Sequence, residues 1–221
     1  MEMILSPLEL RVLGCLIEKE STTPDTYPLS LNALTAACNQ KTNRDPPMDL
    51  NENTVLDTIE TLIKKSLVTS RSSAGGRVSK FGHRLSNRLL DEHQYSRPEL
   101  ALLCVLFLRG PQTLGELKTR CARIHTFPDT AELLATLKML EQRDGGACVV
   151  KLPTQPGHKE ARYAHLFAGE VDVGSVPASS ATAATVSDEA ARIAELELEV
   201  GNLRRDLDAL RGQFDNFIKQ F

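Results

Sequence analysis

At 221 residues and 24.3 kDa, with 41% apolar and 25% charged side chains, the chain is long enough to bury a core without disulfide or metal staples. Its net charge of −3 hides a gradient: 11 basic and 10 acidic groups over residues 1–90, 10 and 10 over 91–170, and 5 and 9 over 171–221. That excludes a chain-wide basic footprint for nucleic acid and leaves room only for a local one.

The elements come in two series. Ser6-Pro-Leu-Glu-Leu and, 90 residues on, Ser96-Arg-Pro-Glu-Leu both read as capping boxes, Ser6 with Glu9 and Ser96 with Glu99. Each opens a predicted helix with one apolar face: Leu10, Leu13, Leu16 and Ile17 in the first, Leu100, Leu103, Leu106 and Phe107 in the second. Second helices open at Ser30, with Leu31, Leu34 and Cys38 inward, and at Thr113, with Leu114, Leu117 and Cys121 inward. Third helices follow near Asn51–Lys65 (stripe Val55, Ile59, Leu62) and from Asp129 (Leu133, Leu137, Leu140), at a spacing of 78. A change of period then predicts a hairpin in each series. Leu67–Arg71 and Arg77–Phe81 flank Ala74-Gly75-Gly76, and Cys148–Leu152 and Arg162–Phe167 flank Pro153–Ala161.

Three helices and a hairpin is the order of a winged-helix domain, so the fold class expected is mainly α with small β-hairpins (α+β). Residues 1–90 form domain 1 and 91–170 domain 2 in this reading. Residues 171–187, rich in Ala, Ser, Thr and Val, read as a flexible linker, and 188–221 as a coiled-coil helix. In the last segment Ile193, Leu196, Val200, Leu203, Leu207, Leu210, Phe214, Phe217 and Phe221 alternate at +3 and +4, a heptad seam. The flanking pairs Arg192 with Glu197, Glu199 with Arg204 and Asp206 with Arg211 are opposite in sign, as a parallel homodimer requires. A helix folded back on its own domains is the alternative, and the terminal Phe residues favour it.

Three stretches carry a resemblance. Residues 22–46, beginning Thr22-Thr-Pro-Asp-Thr-Tyr-Pro, the run Gly75-Gly-Arg-Val-Ser-Lys-Phe-Gly-His-Arg-Leu85, and Arg97-Pro-Glu-Leu with Leu114-Gly-Glu-Leu resemble the YceH family of uncharacterised bacterial proteins. The resemblance covers about residues 2–170 and implies a tandem of winged helices. It implies no activity and no site residues.

No nucleophile elbow, P-loop or dinucleotide fingerprint occurs, and the five His show no metal spacing, so no catalytic residue, metal or cofactor is expected and the chain reads as a non-enzyme. The five Cys are scattered, odd in number and without a C-x-x-C pair, which suits reduced thiols in a cytoplasmic protein. The start, Met1-Glu-Met-Ile-Leu-Ser-Pro, has neither the basic region nor the cleavage site of an export signal. The longest uncharged apolar run, Leu100–Leu108, is far short of the roughly 20 residues that span a bilayer, so no membrane partner is expected.

The local basic footprint lies at residues 66–90, where Arg71, Arg77, Lys80, Arg84 and Arg88 occur without a single acid. A basic wing can grip phosphates, with Lys41 and Arg44 in the preceding loop adding to it and Asn51, Asn53 and Thr54 at the start of the third helix as base or phosphate contacts. The first reading is therefore a dimeric regulator of double-stranded DNA. Against it, the outward positions of that helix carry Glu52, Asp57 and Glu60, which phosphates repel. The second reading is a protein–protein interaction module without a DNA role. The stretch Pro24–Pro47 has two readings of its own: local turns that hold a long loop, or a rigid polar surface that recognises a partner.

Overall fold

In each half a short run of residues ahead of the first helix decides where that helix begins. The computed structural model describes residues 4–72, 79–86, 94–154 and 160–169. The linker 171–187, the helix 188–221 with its seam Ile193–Phe217, the wing residues Arg77 and Arg88 and the proposed domain boundary at residue 90 lie outside the described residues. Helix α1 (Pro7–Thr22) starts where the Glu9 carboxylate accepts from the Ser6 N–H (2.8 Å) and Ser6 Oγ accepts from the Glu9 N–H (3.2 Å). Helix α4 (Arg97–Arg109) starts where Ser96 donates both its N–H and its hydroxyl to Glu99.

Strand β1 (Leu29–Ser30), α2 (Leu31–Cys38), α3 (Glu52–Lys64), β2 (Val68–Ser72) and β3 (Ser79–His83) complete the first half. Strand β4 (Gln112–Thr113), α5 (Leu114–Cys121), α6 (Thr130–Glu141), β5 (Val149–Lys151) and β6 (Arg162–His165) complete the second. The result is a mixed α and β architecture, with two antiparallel sheets ordered β1-β3-β2 and β4-β6-β5. The third helices begin as their sequence implies: Asn51 Oδ1 accepts from the Thr54 N–H (2.9 Å), and Asp129 Oδ1 from the Glu132 N–H (2.8 Å). None of the described helices is long and apolar enough to cross a membrane.

Four expectations need correction. The third strand of each sheet, β1 or β4, was not foreseen, because two residues ahead of a helix cap carry no period of their own. The first hairpin is shifted: β2 begins at Val68 rather than Leu67, since Ser66 takes a left-handed φ of 60° and the Leu67 N–H closes onto the Leu62 carbonyl (2.9 Å) to end α3. Its partner strand, like β5 and β6, also keeps different limits from those predicted. Finally, α1 and α4 do not bury one face each. Every residue from Glu9 to Glu18 and from Glu99 to Leu108 is buried, because these helices pack on each other as well as on their own halves. Gly14 permits the approach; a Cβ there would lie 2.9 Å from Leu108. Fully buried Leu13, Leu16, Leu103 and Leu106 line this centre, each stabilising by roughly 1.5–3 kcal/mol.

The loop between α2 and α3 explains its own length. Asn39 closes it, donating to the Leu50 carbonyl and accepting from the Leu50 N–H, both at 2.8 Å. Its middle reaches across to the second half: the Asp45 N–H donates to the Leu108 carbonyl (2.8 Å), and Arg109 donates to Asn43 Oδ1 (2.7 Å). Arg44 turns inward, 5% exposed, and holds Glu18 (3.1 Å through Nη1) and the Ala37 carbonyl (3.1 Å through Nε). Arg123 from the second half reaches the same Glu18 carboxylate. Burial raises the Glu18 carboxyl, but Arg44, Arg123 and Lys19 outweigh it and hold its pKa below the usual carboxylate value. Arg44 is thus withdrawn from the DNA surface assigned to it; it belongs to a buried clasp between the halves.

Candidate nucleic-acid interface

Strand β3 is the middle strand of the first sheet, and its period of two sorts the basic residues. In register with β2, Arg71 stands opposite Lys80 and Thr69 opposite Gly82, while Val68 with His83 and Ser70 with Phe81 take the other face. Arg84 continues the Lys80–Gly82 face, its N–H bonded to the Leu67 carbonyl (2.9 Å). Arg71 and Lys80 are exposed and Arg84 is half-buried. Like charges placed directly across an antiparallel pair repel. Among the described residues none of the three side chains makes an ion pair or hydrogen bond that would relieve this, so the sheet face carries positive charge without a direct ion-pair partner.

The remaining predicted contacts do not join that face. Lys41 is exposed on the α2–α3 loop. Asn51 and Asn53 are exposed on the first turn of α3, and Thr54 is half-buried; Asn51 Oδ1 is already occupied by the Thr54 N–H and hydroxyl. Around them stand Glu52, held by the Asn32 amide (3.1 Å), and the exposed Asp57 and Glu60. The outward face of α3 is therefore acidic while the outward face of the hairpin is basic.

Sequence reasoning missed what sits beside the basic residues. Tyr27 lies over Gly82, where a Cβ would come within 3.1 Å of its hydroxyl oxygen, and that oxygen accepts from the His83 N–H (2.8 Å). A glycine inside a strand signals such a close approach, and Gly82 in Lys80-Phe-Gly-His was the available clue. Glu20, from the end of α1, bonds His83 Nε2 at 2.9 Å; no sequence pattern connects residues 63 positions apart.

The five Cys are free and buried. Burial pushes the Cys104 and Cys148 thiols up and the Cys121 thiol to about 12, which keeps them protonated. Among the described residues no group of three or more His, Cys, Asp and Glu side chains is placed to hold a metal ion.

Residues 5–158 match the family described as "Protein of unknown function, DUF480". The UPF0502 protein VPA1223 of Vibrio parahaemolyticus is 48% identical over 99% of this chain and 100% of its own length. The UPF0502 protein VC_A0740 of Vibrio cholerae is 52% identical over 87% of this chain and 89% of its own, and the UPF0502 protein PBPRB0676 of Photobacterium profundum 49% identical over 95% and 99%. With most of its length matched by the family and by relatives near half identity, the chain belongs to the DUF480, or UPF0502, family of bacterial proteins.

Proposed function

We propose that this protein is a tandem winged-helix protein that binds double-stranded DNA by gripping phosphates with its first hairpin rather than by reading bases with α3. The YceH-like stretches, the winged-helix reading of each half and self-pairing through the heptad seam all belong to this proposal. What supports it is the pair Arg71 and Lys80, exposed, facing each other across β2 and β3 and left without a counter-ion among the described residues. A phosphate backbone supplies that counter-ion at regular intervals. The acid on α3 favours a second reading, a protein-binding module whose partner is basic, and the same residues weigh against α3 entering a groove.

The test is binding of mixed-sequence duplex fragments across a series of salt concentrations. The full chain should lose affinity on a log–log plot with a slope near −0.9 per neutralised phosphate. Replacing Arg71→Gln together with Lys80→Gln should flatten that slope by about 1.8 and weaken binding to every fragment alike. No binding at low salt would overturn the DNA reading and leave the acidic helix as the better guide.

A further inference from the structure

We propose that the outward face of the first sheet also holds a binding cleft for a small phosphomonoester, with Arg71 and Arg84 gripping the phosphate and Glu20 accepting from a hydroxyl of the same ligand. The cleft has a volume of about 480 Å³ and lies between the end of α1 and strands β2 and β3. That is within the range of roughly 300–1,000 Å³ typical of small-molecule sites. Arg71 and Arg84 flank Gly82 from its two ends. They are four residues apart in the β3 register, about 13 Å along the strand, with the Tyr27 hydroxyl seated over the glycine between them, so two extended guanidinium groups can close on one phosphate above that hydroxyl. Thr69 and Ser86 add hydroxyls to the same wall.

The polar groups here have capacity to spare. Tyr27 accepts from the His83 N–H, so its own proton is free to be donated, and burial pushes its pKa up, which keeps it a phenol. His83 Nδ1 accepts from the Leu85 N–H (3.2 Å), which places the ring proton on Nε2, where it is given to Glu20 Oε2 (2.9 Å). Glu20 lines the cleft, and its Oε1, which makes no hydrogen bond among the described residues, is left as an acceptor. Five donors (the two arginines, the Tyr27 phenol and the Thr69 and Ser86 hydroxyls) and one acceptor in one cleft select an anion whose hydroxyl lies apart from the phosphate; inorganic phosphate, with its only O–H on the anion itself, serves the arginines and Glu20 together less well, and the carboxylate repels its charge.

The second half acts as an internal control. Val149 pairs with His165 as Val68 pairs with His83, and Gln112 pairs with Tyr163 as Leu29 pairs with Phe81. By that register Gly82 corresponds to Ala164, Tyr27 to Gly110, Arg71 to Leu152 and Arg84 to Leu166. The same scaffold stands there without the glycine, the phenol or either arginine. These groups are therefore not what a sheet in this position requires.

The experiment is an amide-resolved NMR titration of the full chain with inorganic phosphate and with ribose 5-phosphate, followed at Gly82, His83 and Arg84. Saturable shifts are expected with both, with ribose 5-phosphate binding about tenfold more tightly. Arg71→Gln with Arg84→Gln should abolish both titrations; neither side chain has a partner within the described fold, and the spectrum itself reports whether folding is kept. Glu20→Gln should tighten inorganic phosphate and erase the preference for the ester. No saturable shift at about 20 mM, or shifts untouched by the double arginine substitution, would overturn the site. Equal affinity of the two probes in the unaltered chain would overturn the role given to Glu20. Failure of duplex binding leaves this titration unaffected, so the two readings fall separately.

Discussion

The two halves repeat a scaffold and diverge on their outward faces. In the first, the Glu9 carboxylate that caps α1 also holds Lys65 at the end of α3 (2.7 Å). In the second, Glu99 holds Arg143, just past α6, at 3.0 Å, and Lys65 and Arg143 are separated by the same 78 residues as the helices they follow. Thr58 and Thr136, also 78 apart, are both buried and both donate to the carbonyl four residues back, at 2.7 and 2.9 Å. The exposed positions do not follow suit. Where α3 presents Asn53, Asp57 and Glu60, α6 presents Ala131, Ala135 and Lys138. An internal repeat thus separates two kinds of residue: those both copies keep hold the fold, and those only one copy has are where function must be sought.

The comparison breaks first if the halves prove independent. The Glu18–Arg44–Arg123 cluster joins them, and removing one partner of a buried ion pair strands the other. Arg44→Met should destabilise the protein by about 3–5 kcal/mol, read as a lowered midpoint of denaturant unfolding. Glu18→Leu combined with Arg44→Met should recover much of that loss, since Arg123, one-third exposed, can return to water. A single substitution costing under about 1 kcal/mol would mean that the long α2–α3 loop is not what couples the halves.

A smaller effect separates the two equivalent histidines. His83 has Glu20 and the Leu85 N–H as partners, whereas His165 Nδ1 is buried without one and the ring sits edge-on to Phe107, 5.2 Å between centroids. Burial lowers the His165 pKa from 6.5 to about 4. The unfolded chain therefore takes up a proton at this position that the folded chain refuses. Stability is unaffected by His165 above pH 6.5 and falls as pH drops from there towards 4, by about 3 kcal/mol in all. Glu9 and Glu18, whose carboxyls lie below the ordinary 4.5, add losses that begin only near pH 4.5 and continue below it. His165→Phe keeps the aromatic contact and removes the proton site. It should flatten unfolding stability against pH between about 6 and 5, and an unchanged slope would refute the assignment.

What the sequence discloses follows the range of the interaction. The caps at Ser6, Ser96, Asn51 and Asp129 are legible because donor and acceptor lie three residues apart. The hairpins are legible because a change of period marks both, with a glycine pair at the first and a Pro/Gly loop at the second. Strands β1 and β4 are not legible: Leu29 becomes a strand only by pairing with Phe81, 52 residues on. Arg44 misleads for the same reason, since in a long polar loop it reads as a surface cation, and only Glu18 and the second half turn it inward. Of the candidate interface, the positive charge of residues 71–84 was visible, but the cleft beside it was not. Its wall comes from α1 and from Tyr27, brought together only by the packed sheet.

The mildest substitution tests the repeat at its most informative position. Gly82→Ala makes the first sheet match the second, which has Ala164 there. Within a strand the alanine is the better residue, and the new Cβ meets only the tip of the Tyr27 ring at 3.1 Å, so stability should change by less than about 1 kcal/mol. The ring must move to make room, and its hydroxyl must loosen its hold on the His83 N–H. Amide exchange at His83 should then quicken while exchange in α1 and α4 stays as it was. If His83 remains equally protected, Tyr27 is not seated by the missing side chain, and the glycine has no part in what distinguishes the first half from the second.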